Sequence, residues 1–190
     1  MTASRSFDGA VLCGGASRRM GHDKATLRID DEPMAARVGR ALAGAGATTV
    51  AAVGGELEIL SRHGLEPVAD RWPGEGPLGG LVTALGGEGE EIVVVLGCDL
   101  VRPDPAAIGA IVDRLASGRA DAAIPRVGAR AQWLHGAWRR RVGGVLEDVF
   151  TSGERSLFAA VSGLRVDFVE VADGAAYRDA DTPEALEGLR

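Results

Sequence analysis

The chain has 190 residues, 46% apolar and 25% charged, a globular balance that fills one sizeable core and fits a single domain over 1–190 better than two. Its net charge of -6 argues against nucleic acid or an anionic membrane as the main partner, so any phosphate it binds must meet a local basic cluster. Cys13 and Cys98 are the only cysteines, which speaks against a disulfide framework or a multi-cysteine metal site. No basic-then-apolar leader opens the chain and no apolar run reaches the ~18 residues of a membrane span, so a soluble, cytoplasmic protein is expected.

Apolar runs of strand length alternate with helical patterns, which predicts an α/β fold with a mainly parallel sheet covered on both faces. In chain order the pattern predicts a strand at 9–13, a weaker one at 27–29, a helix at 33–45, a strand at 48–53, and helices at 56–63 and 78–85. The strongest strand follows at 92–98, then a helix at 105–117, weaker strands at 122–125 and 132–138, a helix at 144–150, a strand at 166–171 and a helix at 183–189. Prolines at 33, 105 and 183 suit the first helical position. Residues 119–165 break the alternation and carry two of the three tryptophans. They read as an insertion or lid for a second substrate.

The segment Leu12-Cys13-Gly14-Gly15-Ala16-Ser17-Arg18-Arg19-Met20-Gly21-His22-Asp23-Lys24 follows the first strand. Its glycines let the backbone turn sharply and present successive amide N–H groups to an anion, while Arg18, Arg19 and Lys24 add positive charge. No Gly-Lys-Ser/Thr follows, as a Walker A loop requires, and the Gly-x-Gly-x-x-Gly dinucleotide pattern is absent. Asp99 directly follows the strongest strand, at the carboxyl edge where open α/β sheets bind ligands. A carboxylate there suits Mg²⁺ on a nucleoside triphosphate.

The loop resembles the Leu-x-Gly-Gly-x-Ser-x-Arg-Met-Gly-x-Asp-Lys pattern of the molybdenum cofactor guanylyltransferases. Gly97-Cys98-Asp99-Leu100 resembles that family's Cys-Asp-x-Pro, although proline here comes later, at Pro103. Asp70 and the turn Gly74-Glu75-Gly76-Pro77-Leu78-Gly79-Gly80 resemble its aspartate and Gly-Pro-Leu-x-Gly. Asp179-Ala180-Asp181-Thr182-Pro183 resembles its tail, with aspartates where asparagines are usual, and Gly153-Glu154-Arg155 resembles the segment before its late helix.

The resemblance implies a Rossmann-like three-layer α/β/α nucleotidyltransferase fold and transfer of GMP from GTP to molybdopterin. It assigns Leu12, Cys13, Gly14, Gly15, Lys24, Asp70, Gly79 and Asp99 to the nucleotide. Arg19, Lys24 and Asp99 would be catalytic, Asp99 and Asp181 would hold Mg²⁺, and Arg155 and Asp179 would serve the second substrate. Chaperones that deliver molybdopterin or take the product to an acceptor enzyme would be partners. The alternatives are a molybdopterin cytidylyltransferase or sugar-phosphate nucleotidyltransferase on the same fold, or a non-catalytic nucleotide-binding adaptor in cofactor delivery.

Other features carry less. Asp181 also suits a helix N-cap, with Glu184 three residues on. Residues 51–55, Ala-Ala-Val-Gly-Gly, offer no side-chain hydrogen bond to a base or ribose. Cys13 reads as a buried, inert thiol. Arg139-Arg140-Arg141 reads as a solvated face, and His22, His63 and His135 show no metal-ligand spacing.

Overall fold

The computed structural model describes residues 6–14, 24–29, 31–172 and 174–180, with Lys24 described in its backbone alone. In chain order the strands are β1 (Phe7–Leu12), β2 (Arg28–Ile29), β3 (Glu32–Pro33), β4 (Val50–Val53), β5 (Glu66–Val68), β6 (Ile92–Gly97), β7 (Ala122–Val127), β8 (Arg130–Ala131), β9 (Gly136–Arg139) and β10 (Val166–Val171). The helices are α1 (Met34–Gly44), α2 (Leu57–Ser61), α3 (Pro77–Leu85), α4 (Pro105–Ser117), α5 (Gly143–Thr151) and α6 (Leu157–Ala160).

The main sheet runs in the order β10-β7-β9-β6-β1-β4-β5, with β8 paired to β7, while β2 and β3 form a separate antiparallel pair. All neighbours on the main path are parallel except β9, which runs antiparallel between β6 and β7. The sequence Ile-Val-Val-Val-Leu-Gly makes β6 the central strand, because β-branched residues suit the pleat and both faces are covered. On one face α1, α2 and α4 pack Val38, Leu42, Leu60, Ile111 and Leu115 against Phe7, Val11, Val94 and Leu96. On the other, α3, α5 and α6 pack Leu78, Leu81, Leu146, Phe150 and Leu157 against Ala10, Leu12, Val93 and Val95. The result is a three-layer α/β/α fold with a mostly parallel sheet.

Helix α4 shows how local sequence sets a boundary. The Asp104 carboxylate accepts the Ala106 N–H at 2.9 Å, Pro105 fills the first helical position, and Gly118 follows the last turn.

Residues 119–165 contribute to the main sheet: β9 within them is an interior strand, and Trp138 is fully buried. One expectation needs correction: of Arg139-Arg140-Arg141 only Arg141 keeps a largely solvated side chain, while Arg139 and Arg140 turn inward. The Arg140 Nη2 donates to Asp8 Oδ2 at 2.7 Å, Arg139 Nε donates to the Ala120 carbonyl at 2.9 Å, and Arg141 Nη2 donates to Asp121 Oδ1 at 2.7 Å. These arginines tie the amino ends of β1, β6 and β7 to the carboxyl end of β9, which a charge run in the sequence does not disclose. The helix expected at 183–189 lies outside the described residues.

Candidate active site

Parallel register brings the site together. β1 and β6 pair from Phe7↔Ile92 to Leu12↔Gly97, so the residues after both strands emerge side by side at the carboxyl edge. The Cys98 N–H extends the pairing to the Leu12 carbonyl at 3.1 Å, and the Cys13 N–H reaches the Val53 carbonyl at 2.9 Å. A cavity of about 330 Å³ opens there. Leu12, Cys13 and Gly14 form one wall, Gly97, Cys98 and Asp99 another, and Asp70 with Gly76, Pro77 and Gly80 the third.

Close packing explains the glycines at this edge. Gly54 adopts φ +72°, and a Cβ there would come within 3.3 Å of the Gly14 Cα. A Cβ on Gly14 would sit 3.2 Å from the Asp70 Oδ2. That carboxylate is fixed from behind: its Oδ1 accepts the Trp72 N–H at 3.0 Å and the Thr83 hydroxyl at 3.2 Å. One oxygen of Asp70 is thus held by its own turn at Trp72 and by Thr83 in the last turn of α3, while the other faces the glycine wall.

Asp99 is held through its backbone. Its carbonyl accepts the Ala180 N–H at 2.8 Å, the Val101 N–H donates to the Arg178 carbonyl at 2.9 Å, and Leu100 bridges antiparallel to Asp179. The tail at 178–180 therefore lies as a short strap beside 99–101. A Cβ on Gly97 would be 2.9 Å from the Asp99 Oδ1 and 3.2 Å from the His135 Cε1, so carboxylate and imidazole flank the same spot.

The sequence does not mark His135 as a site residue, and the structure places it in this edge. It is 3% exposed. Its Nδ1 accepts the Gly97 N–H at 3.3 Å, which leaves the ring proton on Nε2, 3.1 Å from the Asp179 Oδ1. Tyr177 packs beside it with ring centroids 6.2 Å apart, and burial, then the nearby Asp104, pushes the Tyr177 phenol up to about 12. The only advance signal for His135 would be its place just before β9, whose register on β6 the sequence does not show.

Of the residues expected at the site, Leu12, Cys13, Gly14, Asp70 and Asp99 surround one cavity. Gly79 does not line it. A Cβ there would meet Trp72 at 3.3 Å and Phe150 at 3.5 Å, while the next residue, Gly80, faces the cavity. Arg155 lies apart from the lining, over the Phe150 ring at 4.0 Å, with its Nε donating to Glu75 Oε2 at 3.0 Å. Through Glu75 it braces the turn that carries Gly74 and Gly76. Asp179 faces His135. Lys24 opens a turn, Lys24–Thr26, whose Ala25 is buried in the core cluster that also holds Cys13 and Cys98. Gly15, Arg19 and Asp181 lie outside the described residues. Among the described residues no group of three or more His, Cys, Asp or Glu side chains could hold a metal, and no helix is long and apolar enough to cross a membrane.

The family model of the MobA-like NTP transferase domain matches residues 9–166. The chain belongs to that family. A molybdenum cofactor guanylyltransferase of Pseudomonas putida is 33% identical over 189 residues, covering 94% of this chain and 94% of that protein. A probable molybdenum cofactor guanylyltransferase of Opitutus terrae is 42% identical, but over 104 residues, 53% of this chain and 52% of its own length. Among solved structures, molybdopterin-guanine dinucleotide biosynthesis protein A from Archaeoglobus fulgidus superposes with a TM-score of 0.81 over 96% of both chains at 21% identity, a likeness of fold. Membership of the MobA-like family carries a nucleotidyltransferase activity, and the matched span contains Gly14, Asp70, Asp99 and His135.

Proposed function

We propose that this chain transfers GMP from GTP to molybdopterin, releasing pyrophosphate and forming the guanine dinucleotide cofactor. The observation that carries the reading is the meeting of Gly14, Asp70 and Asp99 around one cavity at the carboxyl edge, in segments that match the family's pattern. The triphosphate would lie along the segment from Leu12 to Lys24, with Arg19 and Lys24 offsetting its charge. A molybdopterin phosphate oxygen would attack the α-phosphorus in line, forming one P–O bond as the bond to the β-phosphate bridging oxygen breaks. The attacking phosphate oxygen is already anionic, so no general base is needed, and the protein contributes positioning and charge stabilisation.

A single carboxylate on the cavity wall, Asp99, would suit a Mg²⁺ bound mainly by substrate phosphates and water, the usual arrangement for this ion. In this reading Asp99 would hold it, with Asp181 as a second ligand, and the ion would neutralise phosphate charge. Asp70, fixed by Trp72 and Thr83, is the group that orients the nucleoside beside Gly14.

A cytidylyl reading draws on the aspartates at 179 and 181 and on the lack of side-chain donors at 51–55. Pyrophosphate release with each NTP, Mg²⁺ and molybdopterin tests both. GTP-dependent release supports the proposal, whereas CTP-dependent release overturns the nucleotide assignment. GTP binding with no release under any condition overturns the enzymatic reading in favour of an adaptor.

A further inference from the structure

We propose that His135 is a positioning residue that locks the 178–180 strap against the end of β6 and so fixes Asp99; this deepens the reading given above and rests on it. The imidazole is buried and spans two segments that meet at the site. Its Nδ1 takes the Gly97 N–H at 3.3 Å, and its Nε2 meets the Asp179 Oδ1 at 3.1 Å. Because Nδ1 accepts, the neutral ring must carry its proton on Nε2, so one tautomer satisfies both partners. Losing the ring would strand a buried amide and release the carboxylate that anchors the strap.

The strap matters because it is bonded to Asp99 itself. Ala180 donates to the Asp99 carbonyl at 2.8 Å and Val101 donates to the Arg178 carbonyl at 2.9 Å. Between those two backbone bonds, the His135 contact with Asp179 is the side-chain bond that joins the strap to the sheet. The antiparallel course of β9 delivers the residue: β9 pairs Gly136 with Val95, so its first residue lies near the carboxyl end of β6 and His135 falls beside Gly97. A parallel strand in that place would enter from the far edge. The reversal of one strand thus brings a side chain to the site from a segment that would otherwise only fill the sheet.

Three variants separate the bonds. His135→Gln can keep a donor toward Asp179, His135→Asn can keep an acceptor for Gly97, and His135→Ala removes both. His135→Ala should lower kcat for pyrophosphate release by about 10–100-fold, the usual cost of removing a group that orients a ligand carboxylate, with a much smaller change in KM for the nucleotide. His135→Gln should recover most of that loss. The same variants are read without turnover by amide exchange: in His135→Ala, exchange at Val101 and Ala180 should accelerate by about tenfold or more while Val94 and Val95 stay protected. A long-range nitrogen–proton spectrum of the wild type should show His135 as the Nε2–H tautomer.

Unchanged exchange at Val101 and Ala180 in His135→Ala overturns the proposal, as does an Nδ1–H tautomer. Equal loss of kcat in His135→Ala and His135→Gln, at a melting temperature lowered alike, reduces the residue to plain core packing and also overturns it. A wild type that turns over no nucleotide, yet shows the exchange and tautomer expected, defeats the functional reading and leaves the strap intact.

Discussion

The two edges of the sheet are built from opposite materials. At the amino edge, charges are paired and sheltered. Asp8 accepts Arg140 at 2.7 Å, the Glu90 N–H at 2.8 Å and the Thr49 hydroxyl at 2.8 Å, while Asp121 takes Arg141 at 2.7 Å and the Arg165 N–H at 3.0 Å. At the carboxyl edge, glycine and carboxylate predominate: Gly14, Gly76, Gly80 and Gly97 line the cavity with Asp70 and Asp99. A parallel sheet makes this division available, because strands start at one edge and their loops to the next helix leave from the other. One edge can then be spent on holding the strands together while the other keeps room for a ligand.

The sharpest break of this contrast is Asp99→Ala. It should abolish turnover, a loss beyond the roughly 10²–10³-fold expected for one pre-placed electrostatic group, because the same carboxylate would hold Mg²⁺. The melting temperature should stay put, since the side chain sits on a cavity wall. Pyrophosphate release beside a thermal melt checks both, and full activity would remove Asp99 from the chemistry. Arg140→Ala should do the reverse. The Asp8 side chain is 9% exposed and that of Arg140 is 17% exposed, so removing one partner leaves a buried charge, at a cost of about 3–5 kcal/mol of stability. Activity per folded molecule should be unchanged, and urea unfolding with active-site titration measures the two separately.

β9 joins the edges, with Arg139 at its amino-edge end and His135 just beyond the other. Gly136→Ala would place a Cβ 2.3 Å from the Ile124 Cδ1 and 3.2 Å from the Ala123 carbonyl. Such overpacking should cost about 1–3 kcal/mol, and by shifting His135 it should lower kcat as well. A variant that loses stability but keeps kcat would show that the two ends of β9 act independently.

How much of this is legible in the sequence follows from which forces are local. β6 is legible because an unbroken β-branched run between polar turns has few other structures open to it, and α4 because Asp104 and Pro105 cap and start it. β10 also falls at the expected 166–171. β5 escapes notice because Glu66-Pro67-Val68 is a short edge strand, where proline is tolerated and no alternation is required. β9 is read too long, over 132–138, since Gln132 to His135 form a turn and the strand begins at Gly136. At the site, the glycine wall after β1 and Asp99 follow from glycines and an aspartate placed after apolar runs, whereas Asp70 is marked only by its resemblance to the family's pattern. His135 and the inward turn of Gly80 rather than Gly79 depend on sheet register and helix rotation, which sequence spacing does not fix.

The smallest expected effect lies at the amino edge and depends on pH. Burial alone would raise the Asp121 pKa, but the Arg165 N–H and guanidinium, then Arg141, hold it below the ordinary carboxylate value. A carboxylate whose pKa is lowered by folding stabilises the protein above its unfolded pKa, and that contribution fades as pH falls through the folded pKa. Stability should therefore decline as pH drops below about 4, where the unfolded chain takes up a proton that the folded chain resists. Asp121→Asn should be less stable at neutral pH and show a flatter acid limb in urea unfolding. Because Arg141 and Arg165 are largely exposed, with 54% and 65% of their side chains accessible, salt should weaken the effect. An acid limb of the same slope in wild type and Asp121→Asn would mean that other carboxylates set it, and that the amino edge owes its cohesion to the more sheltered Asp8–Arg140 pair.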